Sequence, residues 1–561
     1  MKKSTNTTRV FIEPGIIPSI ATPPIQVHIT DHDSIMETLF TYVKRPVPAF
    51  PQFQGFMHEA VEDLNRETVI QLLSLLTVLF LVYRTAIIIH NVWFHPLSKF
   101  PGPTHMAAFY LPYTYGTFLS GRMHHTMRKL HRKYGPIIRV GPNHLAVDGS
   151  IAWPEVFGHK TDKEEYGKLP GFLFAGDTIS IIGAPKDMHR RQRRQLGHAF
   201  SDGALRDQGP IIQSYVNLLM ERFTEKSEAG KSFDVNDWFN FTTFDVIGHL
   251  THSKSFNCLE NGSHPWISEF FRGFRGRSYA HFLSQIPYAF EIVKGLHLIR
   301  DITNNEKDKN DSVQRTIERI KLGDYAIEGY RDFTSYMLKK NHDGESSFVG
   351  LELLASATIL IGAGAETTAA TMSALIFYLG ITPTAYNRLV EEIRSAFDDE
   401  ESITITSTQQ LEYLHACIEE SLRVYPPINE TPPRVCPGDT IDGKYVPRGT
   451  AITVFQEVTY HNPEHFAEPD SYIPERWLPK SHPFYDAKFN NDNRAVFKPF
   501  SYGPRDCIGK NLAYSEMRLT LSRMLYRFDV ELVPGQENWH SAQRTFMAWE
   551  RRPLNIYLKR R

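Results

Sequence analysis

Cysteine is scarce in this chain, with four residues among 561, and no two of them have the C-x-x-C spacing of a zinc site or redox motif. A disulfide framework is equally unsupported, so a reducing compartment is favoured. The chain also has no excess of charge of either sign. Its formal net charge is −1, which gives no general reason to expect nucleic-acid binding. Hydrophobic residues make up 41% of the chain, enough for a sizeable core.

Charged residues nearly vanish over residues 69–90, VIQLLSLLTVLFLVYRTAIIIH. This length suits one bilayer crossing of roughly 20 residues. Residues 1–67 are polar, proline-rich and aperiodic, which predicts a weakly ordered N-terminal extension. Three prolines within residues 91–104 predict a stiff, non-helical hinge. The predicted organisation is therefore an extension (1–67), a transmembrane helix (68–90), a hinge (91–104) and one globular domain (105–561).

A buried core helix is the alternative for residues 69–90, and Arg84 favours it, because a charge deep in lipid is costly. Arg84 lies near one end, however, from where its side chain can snorkel to the headgroups. Acidic residues dominate the flank before the segment, whereas Arg84 and Lys99 follow, and positive flanks tend to remain cytoplasmic. We therefore expect a single-pass protein of the endoplasmic-reticulum membrane with a cytosolic globular domain. The extension would be lumenal, and Asn6 would be its glycosylation acceptor.

One cysteine stands apart in the stretch FKPFSYGPRDCIGKNLA, residues 497–513. A lone cysteine is ordinarily a small buried hydrophobe. Here Gly503 and Gly509 flank Cys507 and permit a tight turn with close backbone approach. Helical spacing follows Cys507, so the sulfur would sit at a helix N-terminus, where free amides and the dipole favour a thiolate, with Arg505 as a nearby cation. A thiolate held in this way is what an axial ligand of iron requires.

The same stretch matches F-x-x-G-x-R-x-C-x-G at all five defined positions, starting at Phe500. It resembles the haem-binding loop of the cytochrome P-450 family, and further family motifs follow in order over residues 101–561. The resemblance implies a mainly α-helical fold with small β-sheets, preceded by one N-terminal transmembrane helix. It also implies that Cys507 is the proximal iron ligand, that Phe500 packs beside the haem and that Arg505 contacts a haem propionate. The nearest match is the fungal microsomal branch of secondary metabolism.

A second motif is E-x-x-R, formed by Glu420 and Arg423, which share a helix face at this spacing. The motif is common on solvated helices and is informative here only through its place in the family order. PERW follows and contributes Arg476. The resemblance implies that these three residues form a buried structural network.

A third motif, AGAETT at residues 363–368, lies inside a long apolar helical stretch. A tolerated kink in a buried helix is one interpretation. Glu366 favours another, because an acid in so apolar a setting needs a partner or a task. The resemblance implies oxygen activation, in which Thr367 hydrogen-bonds dioxygen or the water that protonates it and Glu366 relays protons. It also implies a widened helix near Gly364.

A fourth stretch, HRRQRRQLGHAFS, begins at His189. His189 and Arg193 resemble the W-x-x-x-R clamp of the family on a propionate, with His in place of Trp. Arg434 resembles the arginine that often holds a propionate after the E-x-x-R helix. The remaining cations form a basic face that is either solvated or meets an acidic reductase patch. They are Arg190, Arg191 and Arg194.

The implied reaction is monooxygenation, because a thiolate ligand favours O–O cleavage on haem b. One oxygen atom enters a hydrophobic small molecule by hydroxylation, epoxidation or oxidative desaturation, and the other leaves as water. We find no flavin-domain extension and no convincing G-x-G-x-x-G element, so NADPH-derived electrons are expected from a separate reductase. The resemblance places the following residues in the mainly apolar substrate pocket: Ile361, Ala365, Ile428, Glu430, Phe546 and Met547.

Three alternatives remain. A haem-thiolate isomerase or dehydratase would need no reductase, but it would have no use for the acid–alcohol pair Glu366 and Thr367. A non-enzymatic haem protein would not need that pair or a full-length substrate domain. A membrane protein without haem is the last alternative.

Overall fold

The computed structural model describes residues 66–561 apart from a set of internal positions. Those positions are 162, 171, 173–176, 264–274, 277, 287–288, 290–292, 294–305, 324–329, 341–346 and 547. Two predicted residues, Asn6 and Met547, therefore lie outside the described residues. The chain divides into two units, 1–84 and 85–561.

Helices dominate the described residues, and the prediction of a mainly α fold with small sheets is confirmed. The helices are α1 (Arg66–Ile89), α2 (Thr104–Ala108), α3 (Leu111–Thr114), α4 (Met123–Tyr134), α5 (Gly149–Ala152), α6 (Lys186–Gly197), α7 (Asp202–Ala229), α8 (Val235–His252), α9 (Cys258–Asn261), α10 (Glu306–Lys321), α11 (Phe333–Leu338), α12 (Leu351–Ile381), α13 (Pro383–Ala396), α14 (Glu412–Val424), α15 (Gln456–Tyr460) and α16 (Lys510–Arg527).

The strands form four small sheets. They are β1 (Ile137–Gly141), β2 (His144–Val147), β3 (Gly167–Lys168), β4 (Phe233–Asp234), β5 (Arg434–Val435), β6 (Asp439–Ile441), β7 (Lys444–Val446), β8 (Ala451–Thr453), β9 (Phe528–Leu532), β10 (Arg544–Phe546), β11 (Ala548–Glu550) and β12 (Asn555–Arg560). The largest sheet has the order β1-β2-β8-β5-β3, and only its β2–β8 pair is parallel. The others are the pairs β10-β11 and β6-β7 and the three-stranded β4-β12-β9.

Helix α1 is the candidate membrane span. The apolar segment Ile70–Phe94 has a mean hydropathy of 2.3 and none of it is buried within the structure. The other long apolar helix, α12, is 78% buried and serves as a core helix. The contrast in burial favours membrane insertion over a core role for α1.

The predicted hinge is instead an arm fixed to the sheet. Within the second unit, Arg139 of β1 donates from its side chain to the Asn91 carbonyl at 2.7 Å and from its backbone to the Pro101 carbonyl at 2.8 Å. Leu97 is fully buried in the adjoining apolar cluster. The prediction of a non-helical segment over 91–104 is wrong at its two ends, because a π-helical turn runs from His90 to Phe94 and α2 begins at Thr104. The prolines lie between them in turns and irregular chain, and these contacts hold the segment against β1.

Helix α12 forms the centre of the apolar core and packs mainly against α8. A Cβ on Gly364 would lie 2.8 Å from the Cδ1 atom of Ile247, so glycine permits this close crossing. The helix is regular throughout. The side chain of Ile247 on α8 occupies the space beside Gly364, and the widening of the helix at this point stays a prediction.

The E-x-x-R motif lies at the C-terminal end of α14 in a fully buried charge cluster. Glu420 accepts hydrogen bonds from Arg423 at 2.7 and 2.8 Å and from Arg476 at 3.1 Å. Trp477 donates to the second oxygen at 2.9 Å, and Asp492 pairs with Arg476. Burial acts to raise the pKa of Glu420, but the guanidiniums outweigh it and hold that pKa below its ordinary value.

We predict that Glu420→Gln destabilises the protein by about 3–5 kcal/mol, because two buried guanidiniums lose their shared counter-charge. Thermal and denaturant unfolding measure the loss. The control is Glu164→Gln, which breaks an exposed pair with Arg448 and should leave unfolding unchanged. Equal effects of the two substitutions would contradict a structural role for the buried cluster.

Candidate active site at the Cys507 loop

The loop before α16 has a backbone that requires glycine at one position. Gly503 has φ +78°, and a Cβ there would lie 1.9 Å from the Phe157 carbonyl oxygen. The Cys507 amide donates to the Phe500 carbonyl at 2.8 Å and closes the loop. Gly509, by contrast, has ordinary backbone geometry and space for a Cβ 3.7 Å from Phe200. The predicted need for glycine therefore holds sterically for Gly503 alone.

The Cys507 thiol is accessible, although surrounding protein atoms desolvate it. Its residue is solvent-exposed, yet burial raises the pKa of the thiol, with the Gly509 amide and Arg193 acting in the opposite direction. The predicted lowering of this pKa by the helix terminus is wrong for the protein alone: α16 begins only at Lys510, and desolvation is the larger effect. A coordinated metal ion would reverse the balance, because a coordinating thiol is deprotonated outright.

The predicted propionate ligands gather around this loop. Arg505, also predicted as the cation beside Cys507, points elsewhere: it pairs with Glu165 at 2.5 Å and donates to the Ala184 carbonyl at 2.8 Å. Arg193 takes its place by bonding Asp506, the neighbour of the cysteine. His189 is buried beside them, and burial together with Arg505 and Arg193 lowers its pKa to about 3.

Arg434 is the least satisfied of these cations. Its side chain is 3% exposed, its Nε atom has no partner, and within the described residues it forms no ion pair. Its contacts are a long hydrogen bond of 3.4 Å to the Tyr166 carbonyl and the ring of Phe157 at 4.7 Å. Burial lowers the pKa of Arg434 to about 9, and Arg505 contributes in the same direction. A buried guanidinium of this kind needs an anion.

These features fit a haem. The open Cys507 sulfur is a suitable iron ligand. Arg434, with His189 and Arg193 nearby, offers positive charge and donors for the two carboxylates of the porphyrin. Lys168 of β3 is a further cation that acts on both Cys507 and His189. Sequence reasoning missed its role because Lys168 belongs to none of the motifs.

One face of helix α12 is accessible to solvent at the oxygen-activation motif. Ala363 is exposed and Thr367, four residues on, is partly exposed, in a helix that is otherwise buried here. The Thr367 hydroxyl donates to the Ala363 carbonyl at 2.7 Å. Ile361 and Ala365 are fully buried on the opposite side, in the apolar core. Their predicted place in the pocket is therefore wrong, and Ala363 occupies the open face instead.

Glu366 has a partner that the sequence did not reveal. Its Oε2 atom accepts from Arg551 at 2.5 Å, and Arg551 also donates to Asn240 at 2.8 Å and Ser373 at 3.3 Å. The Oε1 atom of Glu366 is buried without a partner. Burial raises the pKa of Glu366 to about 7, while Arg551 acts to lower it. The acid can therefore hold or release a proton near neutral pH.

Two of the remaining predicted pocket residues belong to adjacent segments. Ile428 is partly exposed and pairs with Ala548 of β11. Phe546 of β10 is buried. Glu430 is 8% exposed and accepts hydrogen bonds from Tyr113 and Thr453. Burial raises the pKa of Glu430 to about 7.

Comparison with known proteins decides the family. A family model described as Cytochrome P450 matches residues 101–559. The chain belongs to the cytochrome P450 family. The resemblance predicted from the motifs is thereby confirmed, as is the enzyme class, a haem monooxygenase within the oxidoreductases.

Several fungal proteins are similar to this P450 over most of its length. Cytochrome P450 monooxygenase BOA3 of Botryotinia fuckeliana is 35% identical over 501 residues, which cover 88% of this chain and 98% of that protein. Trichothecene C-15 hydroxylase of Fusarium sporotrichioides is 36% identical over 485 residues, covering 85% and 96% respectively. Cytochrome P450 monooxygenase aclL of Aspergillus oryzae is 36% identical over 489 residues, covering 86% and 96%.

We predict that Gly503→Ala lowers the melting temperature and the haem content of this P450, because the added Cβ meets the Phe157 backbone and positive φ is strained. Gly509→Ala should leave the melting temperature nearly unchanged. Calorimetry of both variants and of the native protein tests the difference. The account of the loop fails if the two glycines prove equally replaceable.

Proposed function

We propose that this P450 inserts one atom of dioxygen into a hydrophobic small molecule of fungal secondary metabolism, with haem b on Cys507 and NADPH-derived electrons from a separate reductase. The observation that carries the proposal is the combination at one loop of an open thiol with a buried, unpaired guanidinium, Arg434. A haem held there supplies the activation of dioxygen, with the second oxygen atom leaving as water.

Each cation near Cys507 has a separate task in this proposal. Arg434 and His189 bind the propionates directly, since neither has a carboxylate partner within the described residues. Arg193 is paired with Asp506 and would add positive charge near the propionates of a bound haem. Arg505 acts as a positioning residue, because its bonds to Glu165 and Ala184 fix the loop.

Proton handling falls to the open face of α12. Because the Thr367 hydroxyl gives its hydrogen to the Ala363 carbonyl, its oxygen is left to accept a hydrogen bond from a water on the open side. Glu366 holds the exchangeable proton, and Arg551 fixes the orientation of the carboxyl. The pair thus orders the water from which protons are delivered.

The relatives support the substrate class. One of them is named a trichothecene hydroxylase and others are named monooxygenases, and all come from fungi. Ala363 on the open face of α12 and the partly exposed Ile428 are apolar, which agrees with a hydrophobic substrate. These names are the reason to propose hydroxylation as the first reaction to test.

The reductase would meet the exposed part of α6. Arg190 and Arg194 are exposed and, with Lys186, line a cleft of about 260 Å³ beside Pro504 of the cysteine loop. An acidic patch on a partner would be steered to these charges. Arg191 does not belong to this surface as predicted, because it is bound to Glu352 by two hydrogen bonds.

Helix α1 would anchor the enzyme in the endoplasmic-reticulum membrane, with the catalytic domain in the cytosol. Arg84 near the end of the apolar segment and Lys99 after it support this orientation. Asn6 would then be on the lumenal side and accessible to glycosylation, whereas the acceptor at Asn240 would not.

We predict that Cys507→Ser abolishes the thiolate-type band of the reduced carbon-monoxide complex and the NADPH-dependent uptake of oxygen with a reductase, because serine is a poor ligand for this iron. Cys436→Ser is the matched control: it replaces a buried thiol elsewhere and should retain both signals. Oxygen uptake by Cys507→Ser at the native rate would refute the proposed function.

We also predict that Arg551→Gln shifts the pH dependence of coupling to higher pH. Arg551 favours ionised Glu366, so its removal raises the pKa of the acid further above about 7. The ratio of peroxide formed to NADPH consumed, measured across pH, reports the shift. Arg551→Lys should retain the native profile and Glu366→Gln should lose the inflection. An identical inflection in Arg551→Gln would exclude Arg551 from proton control.

A further inference from the structure

The segment between α14 and β5 has one open face. Ile428 and Pro432 are partly exposed and Glu430 between them is 8% exposed, whereas Asn429 and Thr431 are each 2% exposed. This alternation is that of an extended chain, in which every second side chain points the same way. Glu430 therefore shares its face with two apolar residues that are accessible although the segment crosses the protein interior.

The surroundings of this face are apolar. Ile428 pairs with Ala548, and Glu430 pairs with Phe455, which belongs to the buried cluster that includes Tyr113. Leu169, which follows β3, packs against the same cluster. Glu430 is thus an acidic group set into an otherwise hydrophobic wall.

The carboxyl of Glu430 is only half satisfied. Its Oε1 atom accepts from the hydroxyls of Tyr113 and Thr453. Its Oε2 atom accepts no hydrogen bond within the described residues and is not among the fully enclosed polar atoms, so it keeps some accessible surface. Other buried acids, such as Glu366 and Glu420, have guanidinium partners, but the described residues provide none for Glu430. The side chain is held in place with one oxygen free to bind a ligand.

We propose that Glu430 determines specificity by accepting a hydrogen bond through Oε2 from a hydroxyl group of an otherwise apolar substrate. The inference rests on the proposed function and narrows its substrate class. A hydroxyl suits the site because it can donate to a carboxyl in either protonation state, whereas an ammonium group would require the ionised form. Tyr113 and Thr453 orient the carboxyl, and the apolar neighbours hold the carbon skeleton.

Equilibrium dialysis of the holoenzyme against decanol and decyl methyl ether tests the proposal, since both have the same chain but only the alcohol donates a hydrogen bond. We expect the alcohol to bind about tenfold more tightly than the ether, as for a hydrogen bond to a charged acceptor. The preference should vanish in Glu430→Leu and fall in Glu430→Gln, which keeps the shape. Tyr113→Phe removes one of the two hydroxyls that orient the carboxyl and should weaken the preference, whereas Glu164→Gln, at an exposed pair with Arg448, should retain it.

The proposal is overturned if the native holoenzyme does not distinguish the two probes, or if Glu430→Gln retains the full preference. A loss of thermal stability in Glu430→Gln and Tyr113→Phe with an unchanged binding ratio would assign the carboxyl a purely structural role. Dialysis needs no turnover, so these outcomes are independent of the proposed function. That function fails separately if the holoenzyme shows no NADPH-dependent oxygen uptake with a reductase.

Discussion

The buried carboxylate of Glu420 ties the loop that carries Cys507 to the helical core. Trp477 donates to it, and the Trp477 ring lies 4.6 Å from the ring of Phe497, at the start of that loop. The next residue, Lys498, donates its amide to the Tyr460 hydroxyl at 3.0 Å. A charge so deeply buried is tolerated only with full compensation, so any shift of these elements would cost several kcal/mol. The charge cluster around Glu420 therefore helps to fix the position of the Cys507 sulfur, although the two are not in contact.

Charge is distributed unevenly around this framework. Around Glu420 the carboxylates and guanidiniums balance, and the cluster needs nothing from outside the chain. Around Cys507 the cations exceed the available carboxylates, and Arg434 is left with an unpaired donor. The first arrangement stabilises the fold and the second prepares it for a ligand with two negative charges. Both clusters contain arginines and carboxylates. The ratio of positive to negative side chains distinguishes the structural cluster from the one that binds a ligand.

Much of this could be predicted from the sequence, because the motifs hold their residues close along the chain. Glu420 and Arg423 are three residues apart on a helix, and Gly503 and Cys507 share one loop. The face of α12 could not be predicted: the helix is apolar on every side, so periodicity gives no phase, and Ile361 was assigned to the wrong face.

Contacts between segments that are distant along the chain could not be predicted from the sequence either. Arg551 lies 185 residues from Glu366 and belongs to no motif, so only the folded chain shows that they pair. The arm after α1 was misjudged for a related reason. Its prolines exclude a helix only over residues 95–103, and the binding of Asn91 and Pro101 by Arg139 is a tertiary interaction.

The C-terminal hairpin β10–β11 and the residue that follows it contribute both to the pocket wall and to the positioning of Glu366. Ala548 adjoins the open face next to Ile428, and Arg551, three residues later, holds the acid on α12. Divergence among related enzymes is thereby constrained at this hairpin. Side chains facing the pocket can vary to accommodate new molecules, but an insertion or deletion between Ala548 and Arg551 would displace the guanidinium from Glu366. New substrates should therefore arise here by substitution and seldom by changes in loop length.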